Sequence, residues 1–236
     1  MYNAGFKVMS EQNNIKGNIL PQILFPLFIH CKFAVMEKNE RIIKGALELF
    51  LQAGVKSINM DDVSTHLGIS KKTLYKVVSN KADLVKQAFT LHQSCFISKI
   101  EAIKSKNENA IDELFEIDEQ LCVLLKNRPP HLISNLKKYF PEVSEILDTT
   151  RRTNIIGCVV HNLELGKTQN LYRADINVGI LAKLMINTVE AIVDDALFPI
   201  TEYNFKNILQ ENRVYHIRGI ATTKGINYLE NKLQND

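Results

Sequence analysis

The chain has 236 residues, 45% hydrophobic and 23% charged, with a net charge of +3. That is enough for one large domain or two small ones around a core, and it excludes disordered, collagen-like and disulfide-scaffold classes. The charge is uneven: residues 36–106 hold 12 Lys/Arg against 7 Asp/Glu, and residues 107–236 hold 14 against 18. A basic front that suits a polyanion therefore precedes an acidic rear.

Residues 19–35, ILPQILFPLFIHCKFAV, form an apolar run with two prolines. The run is at the short limit for a spanning helix, Pro21 and Pro26 would disrupt one, and no small-x-small cleavage site follows before Lys32. Met36-Glu37-Lys38-Asn39-Glu40-Arg41 reads as an ordinary protein start. Residues 1–35 are thus expected to be an extension upstream of a native start at Met36; a membrane tether and an appended helix packed on the body are the other readings. The four cysteines, Cys31, Cys95, Cys122 and Cys158, are far apart and form no C-x-x-C pair. They are expected to be reduced core residues of a cytoplasmic protein.

Apolar residues recur at helical spacing with almost no strict alternation, which predicts an all-α fold. A first helix is expected over 38–52, with Ile42, Ile43, Ala46, Leu47, Leu49 and Phe50 on one face and Gly54 at its end. A short helix follows over 60–67, capped by Asn59 with Asp62 completing a capping box. Gly68 supplies a turn, Ser70 caps a third helix over 71–78, and Asn80 with Asp83 opens a longer fourth. Beyond a polar break at 105–109, helices are expected over 110–127, 131–139 and 141–168, separated by Arg128-Pro129-Pro130 and by Pro141. Two long helices, 174–197 and 202–232, close the chain around Pro199.

Residues 59–78 read as a helix–turn–helix. Lys71, Lys72, Lys76 and Lys81 fall within eleven residues with no acid between them. Helix N-termini carry partial positive charge and favour acids, as the second helix does with Asp61 and Asp62. The third helix instead opens with Lys71 and Lys72 and the fourth with Lys81, each at a cost of a few tenths to about 1 kcal/mol. A phosphate would reverse that sign. A solvated basic face is the ordinary alternative for a charge run; the turn, the caps and the helix lengths favour nucleic acid. Tyr75, one turn from Lys71 and Lys72, is placed to bond a phosphate.

At these residues the sequence resembles the tetracycline-repressor (TetR) family of bacterial transcription regulators. The resemblance lies in Ile58-Asn59-Met60-Asp61-Asp62-Val63-Ser64, then Leu67-Gly68-Ile69-Ser70-Lys71-Lys72-Thr73-Leu74-Tyr75, then Asn80-Lys81-Ala82-Asp83-Leu84. Val77 and Val78 depart from a common aromatic pair, Asn59 from a threonine and Ser64 from an alanine. His216–Gly225 also looks like the final helix of some members. The resemblance implies an all-helical homodimer with a DNA-binding domain over 36–82 and an effector-binding and dimerisation domain over 83–236. By the family's common mode it would be a repressor, released by an unknown small molecule from a near-palindromic double-stranded operator. Carried over, Lys71, Lys72, Thr73 and Lys76 would face the major groove, Asn59, Tyr75 and Lys81 would hold phosphates, and Ser70 would stand among the DNA-binding residues.

In the rear, candidates for an effector pocket are Phe89, His92, Cys95, Phe96, Phe115, Leu121, Ile155, Val159 and His161, with plain core packing the ordinary alternative for each. Candidates for a dimer interface are Ile180, Leu184, Val189, Ile217, Gly219, Ile220 and Gly225. The two glycines each cost about 1 kcal/mol in a helix against alanine; a close helix–helix approach would explain them, and so would a break in the helix. Arg151-Arg152 could pair an anionic effector or form a solvated face. His161 and Glu164 lie at metal-pair spacing but have no third ligand, so no metal or cofactor is expected. No nucleophile elbow, metal or dinucleotide signature is present, so an enzyme is not expected. The competing reading is a dimeric helical interaction protein that has lost specific DNA reading, which Val77 and Val78 keep open. No membrane partner is expected.

Overall fold

A computed structural model of the chain describes residues 24–106, 109–126, 129, 131–194, 196–199 and 201–235. These hold ten helices: α1 (Leu24–Ala53), α2 (Met60–His66), α3 (Lys71–Leu74), α4 (Lys81–Lys106), α5 (Ala110–Lys126), α6 (Leu132–Tyr139), α7 (Pro141–Thr168), α8 (Val178–Ile192), α9 (Phe205–Ile220) and α10 (Thr223–Asn235). Among the described residues there is no strand, only an isolated bridge between Tyr172 and Ala221, and no helix is long and apolar enough to cross a membrane.

The chain divides into two units, Met1–Glu40 and Arg41–Asp236. Helix α1 begins ahead of Met36 and keeps Pro26 in its first turn, where a missing N–H costs nothing. Pro26 therefore falls where a helix tolerates proline. Pro21 and residues 1–23 lie outside the described residues.

From Arg41 onward, three apolar clusters organise the body. The first joins Ile42, Ile43, Ala46 and Phe50 of α1 and Val63, Leu74, Val78 and Leu84 to Leu132 and Leu136 of α6 and Val143 and Leu147 of α7. Helix α4 passes through residues 82–83 unbroken, so the first four helices share their core with α6 and α7. The second cluster gathers Ile111, Phe115, Leu163, Leu171, Tyr172, Ile217, Ile220 and Leu229. The third joins Leu125, Ile192, Val193, Phe205 and Leu209.

Beyond α1, three of the expected helices differ in the structure, each for a stated cause. Helix α3 is four residues long and continues as a turn to Val77, because the α4 cap begins at Ser79, whose N–H donates to Asp83 Oδ2 at 2.8 Å. Helix α8 starts at Val178, where the Asn177 side chain accepts from the Ile180 N–H at 3.0 Å. The single helix expected over 202–232 is two, broken at Ala221-Thr222. There Arg173 N–H donates to Ile220 O (2.8 Å) and Thr222 N–H to Leu171 O (2.9 Å). Gly225 belongs to this crossing: a Cβ on it would lie 2.2 Å from Leu171 O. The close approach that Gly225 serves is therefore within the chain and not between two copies. The cysteine expectation also needs adjusting, since Cys95 is exposed and Cys122 and Cys158 are half-buried, all three free.

Candidate nucleic-acid interface

The helix–turn–helix is built by caps. Asn59 Oδ1 accepts from the N–H groups of Asp61 (2.8 Å) and Asp62 (3.0 Å), and Asn59 N–H donates to Asp62 Oδ2 at 2.7 Å. This satisfies three of the donors that a helix start leaves open. Gly68 takes φ +61°, the left-handed region that only glycine adopts freely. Ser70 Oγ then accepts from Thr73 N–H at 3.1 Å. Leu74, fully buried, pins α3 to the first cluster. The inward Leu74 leaves Lys71, Lys72, Tyr75 and Lys76 exposed and Thr73 partly so; Tyr75 keeps 49% of its surface in solvent. Val78 is buried and Val77 packs partly against the same cluster, so neither valine reaches outward as an aromatic phosphate contact would.

The charge pattern is only partly uncompensated. Lys71 forms an ion pair with Asp61, an acid that lies outside the lysine run in sequence but one turn away across the motif. Both side chains are exposed, so the pair adds little stability. Lys72 and Lys76 form no ion pair among the described residues. Lys81 donates to Lys56 O at 3.4 Å and rests over the Phe140 ring, 5.5 Å from its centroid. Desolvation there pulls its ammonium below the ordinary lysine value, with Asp62 acting against that shift.

The rear residues do not gather at one point. Phe89 is buried in the first cluster, edge-on to His92. Phe115 is buried in the second cluster, against which Val159 packs, and Leu121 packs on the third. Phe96 and Ile155 are half-buried. His161 keeps 41% of its side chain exposed and places Nε2 3.4 Å from Glu113 Oε2. Glu113 is fully buried; its Oε1 accepts from Asn162 Nδ2 (2.9 Å), which also donates to Ala110 O (2.8 Å), and Tyr172 Oη donates to Asn162 Oδ1 (3.2 Å). Sequence reasoning missed this polar knot; its signal was an acid and an amide at positions whose neighbours are apolar. Burial of Tyr172 beside Glu113 drives its phenol well above the usual range. A groove of about 370 Å³ lies elsewhere, along Lys137, Ser144, Glu145, Asp148 and Arg152. Arg151 and Arg152 are engaged by Asp148 (2.9 Å) and Glu190 (2.6 Å), which staples α7 to α8 and leaves no free arginine pair for an anion. Among the described residues, no three His, Cys, Asp or Glu side chains group as a metal site would.

Of the interface candidates, Ile180 and Leu184 are 58% and 56% exposed and Val189 is half-buried. Gly219 is exposed, with open space around a built Cβ. Ile217 and Ile220 are buried in the second cluster and Gly225 against Leu171. These three are covered by the chain itself and offer no surface to a partner.

Comparison with known proteins fits this geometry. Residues 42–88 match the family model described as bacterial regulatory proteins, tetR family. The chain is 28% identical over 122 residues to the biofilm operon icaADBC HTH-type negative transcriptional regulator IcaR of Staphylococcus epidermidis, a match spanning 46% of this chain and 64% of that protein. A transcriptional regulator from Saccharomonospora viridis, solved in complex with choline, shares the fold at TM-score 0.65 and 15% identity over 79% of this chain and 99% of the other. FadR from Bacillus subtilis, in complex with stearoyl-CoA, does so at TM-score 0.60 and 17% identity over 77% and 98%. The helix–turn–helix is thus the part matched by the tetR family model, and the described body shares the fold of these two solved regulators.

Proposed function

We propose that this chain is a DNA-binding transcriptional regulator that acts as a homodimer on a near-palindromic operator and is released by a small molecule held in its helical body. The observation that carries the reading is the capped α2–α3 unit, which presents Lys72, Thr73, Tyr75 and Lys76 to solvent from a buried Leu74 anchor. Repression is the direction suggested by the negative regulator it resembles. Dimerisation is supported by Ile180 and Leu184, an exposed apolar pair one turn apart on α8 that a second copy would cover. An effector site in the body is supported by the buried carboxylate of Glu113 beside the accessible His161 and by the bound molecules in the two solved regulators.

The test is binding of the purified protein to DNA flanking its own gene, titrated with salt and random competitor. A tight, competitor-resistant complex with one dimer per palindrome is expected, with a steep salt slope. Weak, sequence-blind binding would favour the interaction-module reading instead.

A further inference from the structure

Lys56, in the turn after α1, and Lys138, near the end of α6, lie over one ring: their Nζ atoms are 5.5 and 5.6 Å from the Tyr139 centroid. Lys81 Nζ meets Lys56 O at 3.4 Å and the adjoining Phe140 ring at 5.5 Å. Lys137, the residue before Lys138, is exposed and also lines the groove that holds Glu145, Asp148 and Arg152. None of Lys56, Lys137 and Lys138 forms an ion pair among the described residues. Cation–π contacts at exposed sites are worth about 0.5–1 kcal/mol each; they hold the lysines in place without neutralising them. The result is a cluster of like charges, built from two parts of the chain far apart in sequence and continuous with Lys81 at the edge of the helix–turn–helix.

The geometry points to a second phosphate-binding strip, formed by Lys56, Lys137, Lys138 and the hydroxyl of Tyr139, which grips DNA backbone flanking the bases that the helix–turn–helix reads. The inference rests on the regulator reading above and extends the DNA surface onto the α6–α7 corner. Charge complementarity favours DNA, because a duplex offers one phosphate per about 1.7 Å of axis, and the strip begins where the expected phosphate contact of Lys81 ends. One consequence concerns release. A strip carried by α6 must keep register with α3, so a shift of that corner relative to the first four helices would weaken DNA binding without touching α3.

The test compares the full chain with K137A/K138A and K137R/K138R on its operator, in a duplex with extended flanks and in one trimmed to the half-sites. The expected result is a salt slope shallower by about 0.9 for each lysine removed from a phosphate in the alanine variant on the extended duplex. The loss should be equal for specific and random flanks, absent on the trimmed duplex and restored by arginine, with the alanine variant melting no more than a few degrees lower, as loss of the Lys138–Tyr139 contact explains. Parental slope in the alanine variant, with the parent binding its operator, overturns the strip alone. Absence of DNA binding by the parent overturns the regulator reading and the strip together.

Discussion

Asn59 caps α2 with only one of its two side-chain polar atoms. Its Oδ1 is committed to the amides of Asp61 and Asp62, which leaves Nδ2 as the donor that can meet a phosphate. The two roles separate by substitution. N59D keeps a strong cap but replaces the amide donor with a charge that repels phosphate, so we expect near-parental stability and weakened DNA binding. N59A loses the cap and should cost about 1 kcal/mol of stability. Urea unfolding alongside DNA titration decides it: parental DNA binding by N59D would remove Asn59 from the phosphate contacts. A purely internal residue behaves differently. A Cβ on Gly166 would stand 2.0 Å from Tyr172 Cδ2, and Tyr172 cannot retreat because it is buried and bonded to Asn162. G166A should lose about 1–3 kcal/mol by overpacking. G157A, at an exposed helical site with nothing near its Cβ, should be neutral or gain up to about 1 kcal/mol. Equal melting temperatures for the two would refute the steric account.

At the scale of elements, the α5–α9 contact and a histidine one turn along α9 respond oppositely to acid. Arg213 stacks on the Phe115 ring at 3.6 Å and pairs with Asp118 at 3.3 Å. Burial raises Asp118 from 3.8 to about 7, against the pull of Arg213. Its contribution to stability is complete below the unfolded value and is lost as pH rises through about 7. One turn on, burial lowers His216 from 6.5 to about 4; its contribution is present above 6.5 and lost as pH falls through about 4. Between those limits the two slopes oppose each other in the parent. Relative to the parent, D118N should gain stability and H216Q should lose it as pH rises from about 4 to about 6.5. Urea midpoints across that range read both, and parallel profiles for the two variants would refute the pairing. The same elements show what the sequence could disclose. Helix starts were legible at Asn59, Ser70 and Asn80 because the caps are local, and the α1 face because its period is local. The break at Ala221-Thr222 was not, since it is made by Leu171 and Arg173 from a distant loop. Lys71 looked unpaired for the same reason: Asp61, its counter-ion, is near only once the turn is folded.

For the whole molecule, the proposed homodimer raises the question of which apolar groups would face a second copy. Ile180 and Leu184 lie one turn apart on α8 and expose more than half their surface, an arrangement that burial in a dimer would relieve at roughly 25 cal/mol per Å² of apolar surface. Ile217 shares the apolar character but is fully buried in the second cluster, so sequence periodicity alone could not separate the two sets. Substitution can. I180E/L184E should give a folded monomer by sedimentation equilibrium, since the new charges stand in water until a partner covers them. Its affinity for a palindrome should fall steeply, because the second half-site is no longer bound at high effective concentration, and its salt slope should approach half that of the parent as half the phosphate contacts are lost. I217A should do the reverse: about 2–5 kcal/mol of stability lost to a cavity, with the dimer intact below its melting temperature. A dimeric I180E/L184E protein would move the interface off α8, and a monomeric, otherwise stable I217A would return α9's inner face to it.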